Sequence, residues 1–232
     1  MNHLKTHGII LRRTDYGESD RIITFLTEQG KMRAMAKGVR KQKSKMAGGI
    51  ELFSVSELQY IKGKGDIDTL TSTRLVTHYG TIVRDLNRTN AGYDFLRTVM
   101  RGTEDSCEPG YYHLIVGALD ALNDPEVDLD LVRAWFYMNL LELAGHQPQL
   151  DTDNNGEPLQ ADALYNFDFD GGGFRKTNGG FGAGSGLIKV LRLVTQYGPT
   201  TLSKVGGVKD YTKPAAQLLK QMSEYYIQAT AG

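Results

Sequence analysis

Seven cations, Lys31, Arg33, Lys37, Arg40, Lys41, Lys43 and Lys45, fall between residues 29 and 49 of a 232-residue chain, and no Asp or Glu interrupts them. Side chains of this kind bind phosphate: lysine as a point charge, arginine through a planar fork that meets two oxygens at once. The whole chain is balanced, with 27 basic and 27 acidic residues, so the run is a segregated surface and not an average of the composition. Residues 1–75 hold 14 basic against 8 acidic residues, residues 76–186 hold 7 against 17, and residues 187–232 hold 6 against 2. The differences, about +6, −10 and +4, describe a basic module joined to an acidic body. Nucleic acid, repelled by the acidic middle, is expected mainly on the N-terminal part.

Other chemistries find less support. Asp151, Asp153 and Asn155 alternate like calcium ligands, but the glycine falls at Gly156 and Asp162 stands where a closing Glu belongs. The run from Gly179 to Gly186 precedes a helix without the Gly-Lys-Ser/Thr ending of a phosphate loop, and reads as a flexible linker with Ser185 as the helix N-cap. An enzyme using nucleotide there would have to bind ATP. The five histidines (3, 7, 78, 113 and 146) show no metal-ligand spacing, and no Gly-x-Ser-x-Gly elbow occurs. Cys107 is the single cysteine, without a partner for a disulfide or a metal pair. No catalytic site is therefore expected. The start lacks a signal-like apolar run and no stretch approaches a membrane span, so a cytoplasmic address is expected.

The cations need a scaffold, and the first 75 residues supply one. Short runs at 8–12, 21–27, 31–37, 51–61 and 68–76 are rich in Ile, Phe, Val, Tyr and Thr and are separated by turn residues. Five strands in this length suit a small closed barrel such as the OB-fold, whose loops commonly bind oligonucleotides; an SH3-like barrel satisfies the same count. The basic stretch then links the third strand to the fourth. Tyr16, in the first loop, is the better aromatic for stacking on a base, with Phe53 and Tyr60 as further candidates and Phe25 assigned to the core. Arg21 follows that loop and completes the expected DNA-binding set.

Beyond residue 76 the period changes to that of helices. Tyr79, Ile82, Val83 and Leu86 form one face, followed by Tyr93, Leu96, Val99 and Met100, then Tyr112, Ile115, Leu119 and Leu122, then Val132, Trp135, Phe136, Leu140 and Leu143. Pro109 and Pro125 precede two of these helices, Gly145 is a C-cap, and Trp135, Phe136 and Tyr137 read as core. Residues 146–186 are irregular apart from a hairpin around the Gly171–Gly173 turn, and helical spacing returns from Leu187. The fold class is α+β, with a barrel over 1–76 and a helical domain over 77–232 that carries the hairpin insertion.

The segments Gly8-Ile9-Ile10-Leu11-Arg12-Arg13, Tyr16 to Thr27, Gly30-Lys31 and Ala36 to Lys41 closely resemble the start of the RecO family of bacterial DNA repair proteins. Glu51-Leu52-Phe53, Lys62-Gly63, Gly145 to Leu150 and the hairpin at 167–174 keep the family's order. The resemblance implies an OB-fold followed by a helical domain with an inserted zinc ribbon. Where many members carry two CxxC pairs, near 153–156 and 176–179, this chain has no cysteine. No metal or cofactor is therefore expected, and the hairpin remnant is expected to be held by packing alone. The resemblance also implies binding of single- and double-stranded DNA, annealing of complementary strands, and help in loading recombinase onto DNA coated with single-strand-binding protein, during repair at the nucleoid. Partners would be RecR, the acidic tail of single-strand-binding protein and, indirectly, the recombinase filament, with no membrane. For that tail, Lys189, Arg192 and Lys220 could supply a basic notch. The alternative is a protein-interaction scaffold whose basic loop is only a solvated surface.

Overall fold

The computed structural model describes residues 3–177, 179 and 182–228. They fall into two compact units, Met1–Asn123 and Asp124–Gly232. The first opens with five strands, β1 (His3–Tyr16), β2 (Asp20–Thr27), β3 (Gly30–Ala36), β4 (Ser54–Ile61) and β5 (Ile67–His78), closed into a barrel in the order β1-β2-β3-β5-β4.

Period-two alternation drives Ile10, Ile23, Phe25, Ala34, Leu58 and Leu70 inward, and each large member stabilises the fold by about 1.5–3 kcal/mol on leaving water. β1 is long enough to serve two neighbours. Its first half pairs with β4 and its second with β2, and a bulge between Ile10 and Arg12 bends it from one to the other. Parallel pairing of Arg33 to Met35 with Ile67 to Thr69 completes the closure.

Two strands differ from the sequence reading by more than two residues at an end. β1 extends over residues 3–7 and 13–16, polar segments whose backbone pairs with β4 and β2 although their side chains add nothing to the core. β4 starts at Ser54 and not at Glu51, because Ala47–Ile50 forms a 3-10 turn and Phe53 sits at φ 56°. That conformation is unusual for a large residue; burial of the ring and its edge contact with Tyr93, 5.0 Å between centroids, hold it there.

The helix expected across 79–86 is a 3-10 turn at Ile82–Arg84, with Val83 and Leu86 exposed. Asp85 interrupts it: its carboxylate accepts from the Arg88 N–H and starts α1 (Leu86–Gly102) afresh. α1 and α2 (Pro109–Asn123) share the barrel's unit, and Arg88 reaches the Leu122 carbonyl at 3.0 Å to join them.

The second unit holds α3 (Leu129–Leu143), the hairpin β6 (Leu164–Asp168) and β7 (Gly173–Thr177), α4 (Ser185–Gln196), the short α5 (Pro199–Leu202) and α6 (Lys209–Ser223), which runs into a π-helical turn at Glu224–Gln228. α3 packs on α4 and α6, with Phe136 and Tyr137 buried and Trp135 partly so. Gly145, at φ 75°, ends α3: its N–H donates to Glu142 and that of His146 to Leu141, the paired bonds of a left-handed helix stop.

The glycine-rich run is not a loose linker where it is described. Ala183 exchanges both backbone hydrogen bonds with Tyr165, and Gly184, not Ser185, is the α4 N-cap. Gly186 leaves room for the Tyr211 ring, which any side chain there would strike. Residues 178, 180 and 181 lie outside the described residues.

Candidate nucleic-acid interface

The basic loop leaves β3 at Ala36 and is fastened at both ends. Val39 is buried in the barrel, and the Met46 carbonyl accepts from Thr73 Oγ1 at 3.0 Å. Turns closed by Lys41 N–H on Gly38 and Ser44 N–H on Lys41 fold the backbone between them. Lys37, Arg40, Lys41, Lys43 and Lys45 are all exposed. The loop thus presents five cations from a short, anchored stretch, with no carboxylate of its own.

It is also joined to the β1–β2 turn. The Gly38 N–H donates to Asp20 Oδ1 at 2.7 Å, the Arg40 N–H to the Ser19 carbonyl at 2.9 Å, and the Arg40 guanidinium to the Gly17 carbonyl at 3.3 Å. Asp15 braces two arginines, with Arg21 Nε at 2.7 Å and Arg40 at 3.5 Å. The hydrogen bond from Arg21 and the charge of Arg40 hold its carboxyl below the usual range. Tyr16, next in sequence, is 56% exposed. Tyr16, Arg21 and Arg40 therefore belong to one pair of linked turns. Asp15 had no place in the sequence argument; its signal was an acid six residues before an arginine across a tight turn.

The remaining residues of the expected set lie elsewhere. Lys31 is turned inward, its side chain only 10% exposed, with Nζ donating to the carbonyls of Met100 (3.2 Å) and Thr103 at the end of α1. A cation there satisfies carbonyls that the helix leaves unpaired and complements its dipole. Arg33 is exposed, 3.7 Å from Asp66. It shares a small hollow of about 150 Å³ with Lys62 and Asp68, where the charges of both signs balance. Lys62 lies 3.0 Å from Asp68, a hydrogen bond that raises its pKa, and 5.5 Å from the centre of the Tyr60 ring. Phe25 and Phe53 are buried and cannot meet a base.

In the second unit, Lys189 is exposed on α4. Arg192 donates to the Leu150 carbonyl at 2.5 and 3.1 Å and lies 3.8 Å from Asp151, while Lys220 is 3.9 Å from Glu224. Two of the three residues proposed for a partner's acidic tail are thus engaged with acceptors of their own unit.

The residues that would replace the zinc ligands do not fit a thiolate-bound metal. Asp153 Oδ1 accepts from the N–H groups of Asn155 (2.8 Å) and Glu157 (3.1 Å). The Asn154 N–H donates to the Phe174 carbonyl and its Nδ2 to Asp168 Oδ2, which also receives Arg175. Packing alone does not hold the hairpin. Edge contacts of Phe167 with Phe169 and Phe174 are joined by this clasp of carboxylate, amide and backbone.

Among the described residues no helix is long and apolar enough to cross a membrane. Residues 1–79 match the family model described as Recombination protein O N terminal, and residues 84–231 match Recombination protein O C terminal. A protein named DNA repair protein RecO from Dehalococcoides mccartyi is 32% identical over 200 residues, 83% of this chain and 78% of that protein. Proteins of the same name from Desulfatibacillum aliphaticivorans and Streptomyces avermitilis are 34% and 37% identical, over 60% and 63% of their own lengths. With both models matched in order along nearly the whole chain, on a five-stranded barrel followed by helices, the chain belongs to the RecO family of DNA repair proteins.

Proposed function

We propose that the chain is a DNA repair and recombination mediator, which binds single- and double-stranded DNA through the basic loop and the β1–β2 turn. It anneals complementary strands and assists recombinase loading onto DNA coated with single-strand-binding protein. The observation that carries the reading is the anchored loop, which exposes Lys37, Arg40, Lys41, Lys43 and Lys45 beside the exposed ring of Tyr16. Cations on a folded base neutralise phosphates with little ordering cost. A surface that neutralises two backbones lowers their repulsion, while base pairing supplies the specificity. Tyr16 adds a sequence-tolerant stacking contact.

In this reading the work is mediation and not catalysis, performed in the cytoplasm at the nucleoid, with RecR and the tail of single-strand-binding protein as partners. Annealing of complementary oligonucleotides coated with single-strand-binding protein tests it. The chain is expected to accelerate pairing, and more so with RecR present. No acceleration, together with no oligonucleotide binding at low salt, would leave the barrel as a protein-interaction scaffold.

A further inference from the structure

The second unit carries an open hollow of about 590 Å³ between the β6–β7 turn and the end of α6, lined by Phe169, Asp170, Gln221, Glu224 and Tyr225. Its walls are two aromatic rings, Phe169 and Tyr225, 5.4 Å apart between centroids and tilted at 52°. Both are held in place. The Tyr225 hydroxyl donates to Asp170 Oδ1 at 2.7 Å and the Tyr226 hydroxyl to the Phe169 carbonyl at 2.5 Å, while Tyr226 stacks on His146. Even so, Tyr225 remains 47% exposed. Ordered aromatic walls open to water, with two carboxylates on the rim, are the recognition chemistry of a cation with a flat face.

The charge around the hollow narrows the ligand. The lining of the hollow holds two carboxylates, Asp170 and Glu224, and no cation. Arg175 is taken up by Asp168, and Lys220 stands 3.9 Å from Glu224. A lining with carboxylates alone favours a cation over a phosphate. We propose that this hollow docks a basic segment of a partner protein through an arginine, whose guanidinium lies on the exposed Tyr225 ring and donates to Asp170 and Glu224. Arginine suits the site better than lysine, because its planar group offers a face to the tyrosine ring and a fork to the carboxylates at once. The inference does not depend on the DNA-binding reading, since it uses none of the same residues.

Fluorescence anisotropy with a labelled peptide, Gly-Leu-Arg-Leu-Arg-Gly, tests it on the full chain. The arginine peptide is expected to bind several-fold tighter than the same peptide with lysine, and not to bind when both arginines are glutamates. Asp170→Asn and Glu224→Gln, conservative changes at exposed positions, should each weaken it about threefold, and Tyr225→Ala about tenfold. Oligonucleotide affinity should be unchanged in all three. Thermal unfolding identifies a variant that has lost its fold, and the two carboxylate variants keep the test decisive in that case. Equal binding by wild type and the carboxylate variants, or equal binding of the arginine and lysine peptides, would overturn the proposal. Self-association of the wild-type chain that these variants abolish would give the hollow to a second copy instead.

Discussion

Replacing Arg40, Lys41, Lys43 and Lys45 together by Ala removes four of the five exposed loop cations and leaves Lys37. If all five meet phosphates of a single strand, the slope of log K against log salt is about −3.5, so affinity falls about a hundredfold between about 50 and 200 mM. Four lost contacts would flatten the slope by about 2.8. Arg40 is a partial case, because Asp15 and the Gly17 carbonyl already hold its guanidinium. Without its contribution the change is about 2.1, which sets the expected range at roughly 2 to 3. The residual salt dependence is then only a few-fold over the same interval. Anisotropy of a labelled oligothymidylate, titrated at four or five salt concentrations, measures both slopes. The fold should survive, since the side chains are exposed and surface changes of this kind cost within about 0.5 kcal/mol each. A variant that folds and keeps the wild-type slope would refute the assignment of DNA to this loop.

Lys31→Met should leave that slope unchanged and instead lower the free energy of unfolding by about 1–3 kcal/mol, because the Met100 and Thr103 carbonyls lose their charged donor; urea denaturation measures the second effect and the salt titration the first. Glu57 gives a prediction in pH. Hydrogen bonds from Arg74 and Lys5 pull its carboxyl from 4.5 to about 2. A depressed carboxylate adds stability that is complete above its unfolded value and fades as pH falls through the folded one. Wild type should therefore be more stable than Glu57→Gln above about pH 5, with the gap closing toward pH 2. A gap that is constant across this window would show that the ion pairs do not persist in solution.

The barrel was legible because its strands carry their own burial pattern. Ile23 and Phe25 alternate inward on β2, and Ala34 and Ala36 on β3, as period two requires. The ends of β1 were not, since residues 3–7 pair through backbone groups that every residue possesses. The helix expected across 79–86 failed for a related reason. Four apolar residues at helical spacing outweighed Asp85, whose cap divides them. Lys31 marks the limit for the site. In the sequence it is indistinguishable from Lys37, and only the arrival of the end of α1 converts it from a phosphate ligand to a helix terminator. Arg40, Lys41, Lys43 and Lys45, between the anchors Val39 and Met46, kept their expected exposure, as did Lys37 just ahead of them and Arg33 on β3.

The clasp around Asn154 and Asp168 gives the insertion a different set of vulnerabilities from one built on thiolates. A cysteine cluster comes apart when its sulfurs are oxidised or its metal is sequestered. A hairpin closed by an amide, a carboxylate and an arginine senses neither oxidant nor chelator. It is acid that weakens such a clasp, because the Asp168 carboxyl, lowered first by the Gly171 N–H and then by Arg175, loses its charge-assisted contacts as it protonates. In this chain the insertion is closed by contacts that neither thiol oxidation nor metal removal can break.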